Sequence, residues 1–317
     1  MIIQGLRRWF SNRKETSLKE PTEKKDGFAN SCIALRSSSN RENNQDAFCQ
    51  SSISKSNINV MAIADGIGSA YKAEVGSQFV VTKAVELVSQ VLLSGKEVDY
   101  KEIFAETQKQ LHQKVEAEFA AELSSLQSNS FGTTLIVAVD QPETFTIAYV
   151  GNGCAYHLFG NVTKFPADFY IPWNAINLLN PHTFPDKMSK KEALYKFISY
   201  EVLRPEQLVP AIVRVNKCHD SGDIFVIGTD GLDSSDHVMF GRANNAVWQV
   251  SKPNIHLFCT ELQRLTESAA PVDEGHLGQM LEGFMDAMKN AGQMDDDTTV
   301  GIVVSAQALQ YLNKEPL

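Results

Sequence analysis

Four familiar catalytic signatures are missing from this chain of 317 residues: it has no CxxC, no HExxH, no GxSxG and no GxxxxGK[ST]. Cysteine-ligated zinc, zincin chemistry, a hydrolase-type serine elbow and a P-loop nucleotide site are therefore all unsupported. Cysteine is scarce and odd in number: Cys32, Cys49, Cys154, Cys218 and Cys259 stand far apart. That pattern excludes a disulfide framework and suits a reducing compartment. Nothing approaches the roughly 20 consecutive apolar residues of a membrane span. The start, Met-Ile-Ile-Gln-Gly-Leu-Arg-Arg-Trp-Phe, is too short in apolar residues for a signal peptide. The expected location is therefore the cytoplasm. Positive charge is also in deficit: the formal net charge is −9, which argues against a nucleic-acid binder.

The composition is otherwise that of a globular enzyme, with 43% hydrophobic residues, enough for a sizeable core. Charge is unevenly spread. Residues 1–27 hold seven Lys/Arg against four Asp/Glu, so the remainder carries −12. A body so acidic is suited to cations that neutralise crowded carboxylates. Residues 1–27 read as a polar, basic tail, 28–308 as a single domain and 309–317 as a short C-terminal tail.

Within the body, short strands are expected at 31–35, 59–64, 133–139, 144–150, 155–159, 211–215, 223–228 and 298–304. Apolar residues recur at helical spacing through Val75, Phe79, Val80, Ala84, Leu87, Val88 and Val91, and again from Ile103 to Leu123. Two further helices are expected at 255–268 and 275–290. Residues 161–200 are rich in proline and aromatics and read as a flap with a short helix around 191–198. Helices come in pairs and strands in runs, without βαβ alternation. The fold class is therefore α+β, with helix pairs packed on sheets.

Aspartates at the ends of apolar segments carry the chemistry. Asp46 lies in Arg41-Glu-Asn-Asn-Gln-Asp-Ala-Phe; Asp65 follows Val-Met-Ala-Ile-Ala and precedes Gly66. Asp230 follows Ile-Phe-Val-Ile-Gly-Thr, and Asp296 stands in Asp-Asp-Asp-Thr-Thr-Val before the last strand. Strands that end together deliver such carboxylates to one sheet edge. Oxygen-only donors suit Mg²⁺ or Mn²⁺, and a bridging carboxylate can hold two cations about 4 Å apart for attack on phosphorus. Taken singly, each signal has an ordinary explanation. An Asp-Gly after a strand is usually a turn, and an aspartate triplet is usually solvated surface.

The order of the blocks is more specific than any one of them. Arg41…Asn44-Gln45-Asp46, Asp65-Gly66-Ile67-Gly68-Ser69, Gly132-Thr133-Thr134, Gly151-Asn152-Gly153, Asp230-Gly231-Leu232 and Asp296-Asp297-Thr298-Thr299 follow one another. This series resembles the metal-dependent protein phosphatases of the 2C type, and among them a bacterial member. The resemblance implies a four-layer αββα sandwich of two antiparallel sheets flanked by helix pairs, with a metal site at one edge. It implies hydrolysis of phosphoserine and phosphothreonine by a water bridging two Mn²⁺ or Mg²⁺ ions, without a phosphoenzyme. Carried over by position, Asp65 bridges the metals, the Gly66 carbonyl ligates one, and Asp46, Asp230 and Asp296 complete the cluster. Arg41 grips the phosphate, with Asp46 and Asp65 as its partners in catalysis. The implied partners are a phosphorylated protein substrate and a cognate serine/threonine kinase.

Three departures qualify the resemblance. Ser69 stands where the family has a second glycine. Asn152 replaces the aspartate of the family's G-D-S, and Ser234, beside Asp233, replaces a further aspartate. Those two carboxylates help the family hold a weaker third metal, so that site is expected to be missing. The alternative reading is a pseudophosphatase that binds a phosphoprotein or kinase without turnover; a phosphatase for small phosphoesters is a third. The aromatic stretch 165–187, with Phe169, Tyr170, Trp173 and Phe184, reads first as a rigid loop stapled to the body and second as a substrate-recognition element.

Overall fold

A computed structural model describes residues 31–39, 42–159, 174–185, 192–217, 222–232, 240–243, 246–249, 253–265, 271–294 and 296–313. The chain opens with three strands, β1 (Cys32–Ser38), β2 (Asp46–Ile53) and β3 (Ile58–Asp65), and then two helices, α1 (Ala73–Leu93) and α2 (Tyr100–Glu118). Strands β4 (Leu135–Asp140), β5 (Thr144–Val150) and β6 (Cys154–Phe159) follow, then three short ones, β7 (Asn174–Asn177), β8 (Thr183–Pro185) and β9 (Glu192–Leu194). After β10 (Ala211–Asn216) and β11 (Asp223–Gly228) come a hairpin, β12 (Phe240–Ala243) and β13 (Ala246–Gln249), and helices α3 (Pro253–Leu265) and α4 (Glu274–Asn290). The chain finishes with β14 (Thr298–Val304) and α5 (Ala306–Leu312).

Two five-stranded antiparallel sheets result, in the orders β1-β14-β11-β6-β7 and β10-β5-β4-β3-β2. Three apolar clusters divide the molecule into four layers. One fills the gap between the sheets with Leu35, Met61, Ile63, Ile136, Phe225 and Val303. Within it Phe145 and Phe225 stack across the gap at 4.0 Å between centroids. A second packs α1 and α2 on the β3–β5 sheet through Val80, Val88, Phe104 and Val137. The third packs α3 and α4 on the other sheet through Phe258, Phe284, Val226 and Ile302. Alternation along each strand sends one row of side chains to each core, which explains why β4, β11 and β14 are buried along their whole length and mostly apolar. The expected αββα sandwich is the fold observed.

Helix starts follow local chemistry. Asp99 accepts from the Lys101 and Glu102 amides and caps α2, and Asp273 does the same for α4 through His276. The end of α2 differs from the expected run to Leu123. Phe119 leaves helical geometry to pack on Phe131, with its other contact to the Lys72 ammonium, and Ala120–Ser125 tightens into a 3₁₀ turn.

Several expectations are corrected. The helix expected around 191–198 is instead strand β9 and an extended stretch: β8 pairs with β9, and Ile198 exchanges backbone hydrogen bonds with Thr133 at 2.8 and 2.9 Å. Strand β2 was not anticipated, and Asp46 opens it instead of ending a strand. The body also runs past position 308, because Ala308, Leu309 and Leu312 of α5 are buried. Phe169, Tyr170 and Trp173 lie outside the described residues. Among the described residues, no helix is long and apolar enough to cross a membrane.

Candidate functional site

Antiparallel pairing sets Asp46, the first residue of β2, directly opposite Asp65, the last residue of β3. Residues so paired share a face, and Asp65 continues the inward row of Met61 and Ile63. Both carboxyls thus stand at the open end of the gap between the sheets. The second sheet reaches the same end through β11, which runs into a 3₁₀ turn at Asp230–Leu232, and through the entry to β14, just after Asp296. Asp65, Asp230 and Asp296 line one pocket of about 930 Å³ together with Gly66, Ser69 and Asn152. Asp46 lies beneath it, only 8% exposed. Of the residues expected in the site, Asp46, Asp65, Gly66, Asp230 and Asp296 come together; Arg41, Asp233 and Ser234 lie outside the described residues.

The Asn44-Gln45-Asp46 block is explained by backbone bonding. The Asn44 side chain accepts from the Asp46 amide at 2.9 Å, a local turn that starts β2 on the correct residue. The Gln45 carbonyl accepts from the Gly66 amide at 3.1 Å and from the Ser77 hydroxyl at 2.6 Å. A side chain at Gly66 would sit 2.9 Å from that carbonyl and from the Ala73 methyl, so only glycine lets the two Asp-bearing segments approach.

Threonines do much of the bracing. Thr134 accepts from the Asp65 amide through its hydroxyl and donates its own amide to the Asp65 carbonyl, while the Thr133 hydroxyl donates to the same carbonyl. Thr229 donates its hydroxyl to Asp46 Oδ2 at 2.7 Å and receives the Thr299 amide at 2.9 Å. Asp297, fully buried, accepts from the Gln45 amide at 2.8 Å and from the Ser39 hydroxyl. Sequence reasoning placed Gly132-Thr133 outside the site and passed over Thr134, Thr229 and Asp297. The available signal was position: each stands beside, or one strand away from, a site aspartate.

The electrostatics are those of acids crowded out of water. Burial, then the charges of Asp297 and Asp230, push Asp46 up to about 7, against the Thr229 and Thr299 hydrogen bonds that favour its charged form. Burial, followed by Asp230, Asp46 and Asp296, holds Asp65 well above the carboxylate range. Asp46 Oδ1 is buried without a hydrogen-bond partner. Among the described residues no three His, Cys, Asp or Glu side chains close into a ready-made cage. An all-oxygen, carboxylate-rich and open site fits an ion such as Mg²⁺, which keeps several waters and takes only one or two direct carboxylates. The residues present therefore suit divalent cations.

Gly231, next to Asp230, tests how tightly the end of β11 is fitted against the start of its neighbour β14. A Cβ on it would lie 2.0 Å from the Asp297 carbonyl and 2.5 Å from Thr298 Oγ1. Backbone cannot yield cheaply, so Gly231→Ala is expected to destabilise by about 2–4 kcal/mol in a denaturant titration. Gly283→Ala, on the open face of α4 with nothing within 4 Å, is expected to stabilise by about 0.5–1 kcal/mol. Equal effects from the two would contradict this packing.

Comparison with known proteins agrees with the geometry. Residues 36–282 match the model of the protein phosphatase 2C family, a span that includes Asp46, Asp65 and Asp230. By structure, the chain is similar to the catalytic domain of the serine/threonine protein phosphatase PstP solved with two manganese ions, at a TM-score of 0.53, with 15% identity over 86% of this chain and 96% of that one. It is similar to the same degree to the serine/threonine phosphatase Stp1 from Staphylococcus aureus, with TM-score 0.53, 15% identity and coverage of 86% and 94%. A Caenorhabditis elegans sex-determining protein aligns at TM-score 0.61 with 12% identity, over 91% of this chain and 68% of that one. No curated protein matches by sequence. At such identities the structural likeness speaks for the fold, and the match to the family model over most of the chain speaks for its kinship: this chain belongs to the protein phosphatase 2C family.

Proposed function

We propose that this protein is a metal-dependent serine/threonine protein phosphatase, cytoplasmic as its few, scattered and odd-numbered cysteines suggest, whose catalytic body spans the sandwich. The observation that carries the proposal is the meeting of carboxylates from both sheets at one pocket, lined by Asp65, Asp230 and Asp296 with Asp46 paired to Asp65, where burial and mutual repulsion raise the pKa of Asp46 and Asp65. Asp65, whose charge interacts with Asp46 on its own sheet and with Asp230 and Asp296 on the other, would be the central carboxylate holding the cations. The Gly66 carbonyl and the orphaned Asp46 Oδ1 are further oxygens for the same cluster. Two Mn²⁺ or Mg²⁺ ions bound there would neutralise these acids and the phosphoryl group, and lower the pKa of a bound water. Arg41 is assigned to the phosphate, since its planar guanidinium matches phosphate oxygens in pairs. Pro181, Thr183 and Phe197 line the same pocket as Gly66–Ser69, and the peptide around the phosphoresidue would lie among them.

The second reading, a phosphoprotein- or kinase-binding pseudophosphatase, is favoured by one observation. Asn152 puts a neutral amide against Asp230 where a carboxylate would add charge. Release of inorganic phosphate from a phosphothreonine peptide separates the two. Release is expected with millimolar Mn²⁺, is expected to stop with excess EDTA, and to return when Mn²⁺ is restored. Binding of the peptide without release would establish the pseudophosphatase instead.

A further inference from the structure

The turn between β5 and β6 is unusually constrained. Gly151 and Gly153 both have left-handed backbone, at φ +103° and +118°, which favours glycine. Neither could carry a side chain in any case. A Cβ at Gly151 would lie 2.6 Å from the Thr134 side chain, and one at Gly153 would lie 2.7 Å from the Gly228 carbonyl. The turn is therefore wedged between the threonine that braces Asp65 and the end of the strand that leads to Asp230.

One side chain projects from it. Asn152 Nδ2 donates to Asp230 Oδ2 at 2.5 Å, while Asn152 Oδ1 is buried without a partner. The amide can only be oriented this way, since the reverse would set its carbonyl against a carboxylate. The turn is also held from behind. The Gly151 amide donates to His182 Nδ1 at 3.2 Å, and the His182 amide donates back to the Gly151 carbonyl at 2.9 Å. His182 is itself buried, stacked on Tyr149 at 4.9 Å and edge-on to Tyr195 at 5.7 Å. Its Nδ1 accepts, so Nε2 carries the proton. Tyr149 closes the set by donating to the Asn180 carbonyl at 2.9 Å.

We propose that Asn152 is a positioning residue for Asp230, clamped by His182, which fixes one oxygen of that carboxylate with an amide where a carboxylate would demand another cation. The inference rests on the reading of Asp230 as a metal ligand. A side chain that restrains a ligand carboxylate is worth about 10- to 100-fold in metal affinity. An aspartate at 152 would instead face Asp230 at hydrogen-bonding distance as a second anion, stable only when protonated or bridged by a metal ion.

Calorimetric titration of the full chain with Mn²⁺, beside thermal melts in EDTA and in Mn²⁺, tests this without reference to turnover. Asn152→Ala is expected to bind Mn²⁺ about 10- to 100-fold more weakly at unchanged stoichiometry. Its melting temperature in EDTA should be close to the parent's, which a merely structural role would not give. Asn152→Asp is expected to melt lower than the parent in EDTA, to recover in Mn²⁺, and to take up one additional ion. Parent-like Mn²⁺ affinity in a folded Asn152→Ala chain overturns the proposal. Should that variant fail to fold, an Asn152→Asp chain with parental melting in EDTA and parental stoichiometry overturns it equally. A parent chain that binds no Mn²⁺ removes the metal reading of the site and this inference with it, whereas a parent that binds Mn²⁺ but releases no phosphate leaves this inference to the variants.

Discussion

Asp65→Asn is expected to slow phosphate release from a phosphothreonine peptide by at least about a thousandfold at saturating Mn²⁺, in a chain that folds as well as the parent or better. The kinetic loss follows from the residue's position. Asp65 is the carboxylate that faces Asp46 on its own sheet and Asp230 and Asp296 on the other, so an amide there weakens every ion placed between them. Metal ions supply several kcal/mol of charge stabilisation in such reactions, and about 1.4 kcal/mol is a factor of ten. The stability gain follows from the same crowding, because removing one acid relieves repulsion on three others. Turnover and thermal melting measured on one preparation decide the matter. Near-parental turnover at saturating Mn²⁺ would show that the cluster is not built around Asp65, whatever the melting curve does.

The second large effect is a stability profile that runs opposite to ordinary acid denaturation. A carboxyl whose pKa is higher in the folded chain than in the unfolded one binds its proton more tightly when folded. Its contribution is then greatest below the unfolded value near 4 and is lost as pH rises through the folded value, for Asp46 about 7. One pKa unit corresponds to about 1.4 kcal/mol, so Asp46 alone spans up to about 4 kcal/mol over that window. His182 works in the other sense. Burial and Lys196 push it down to about 4, so its contribution is present above 6.5 and is lost as pH falls toward 4. The comparison must therefore be between chains. In EDTA, the advantage of Asp46→Asn over the parent is expected to be largest at pH 8 and to vanish near pH 4. Mn²⁺, which competes with protons for the same oxygens, should stabilise the parent more at pH 8 than at pH 5. An advantage of Asp46→Asn that does not change with pH would mean that Asp46 is ionised in the folded chain, contrary to its burial.

Much of this site could be read before any coordinates. The four aspartates are visible because each borders an apolar strand or a glycine, and local patterns of that kind survive in a single sequence. The long strands of both inner sheets were visible for the same reason. Strand β2 was not, because an edge strand buries alternate residues only partly and Ala-Phe-Cys-Gln-Ser-Ser shows no apolar run. The stretch 192–198 looked helical by composition, yet two long-range backbone bonds to Thr133 pull it straight, and no local signal encodes those. The threonine braces, the cross-sheet bond of Thr229 to Asp46 and the clamp of His182 on Gly151 join residues 31 to 183 positions apart. Such ties belong to topology and become legible only when the strands are laid side by side.

Asp46 and Asp65 ride on one sheet while Asp230 and Asp296 ride on the other, and the core between the sheets is built mainly of apolar side chains. Contacts of that kind resist separation but offer little directional resistance to sliding. At the mouth, the directional ties between the sheets include the hydrogen bonds of Thr229 to Asp46 and of the Gln45 amide to Asp297. The spacing of the carboxylates is then a ruler for the registration of one sheet against the other. An ion seated among all four would act as a rivet, converting a greased joint into a fixed one. Any partner that nudged the sheets past each other would be turning the affinity for that ion up or down from outside.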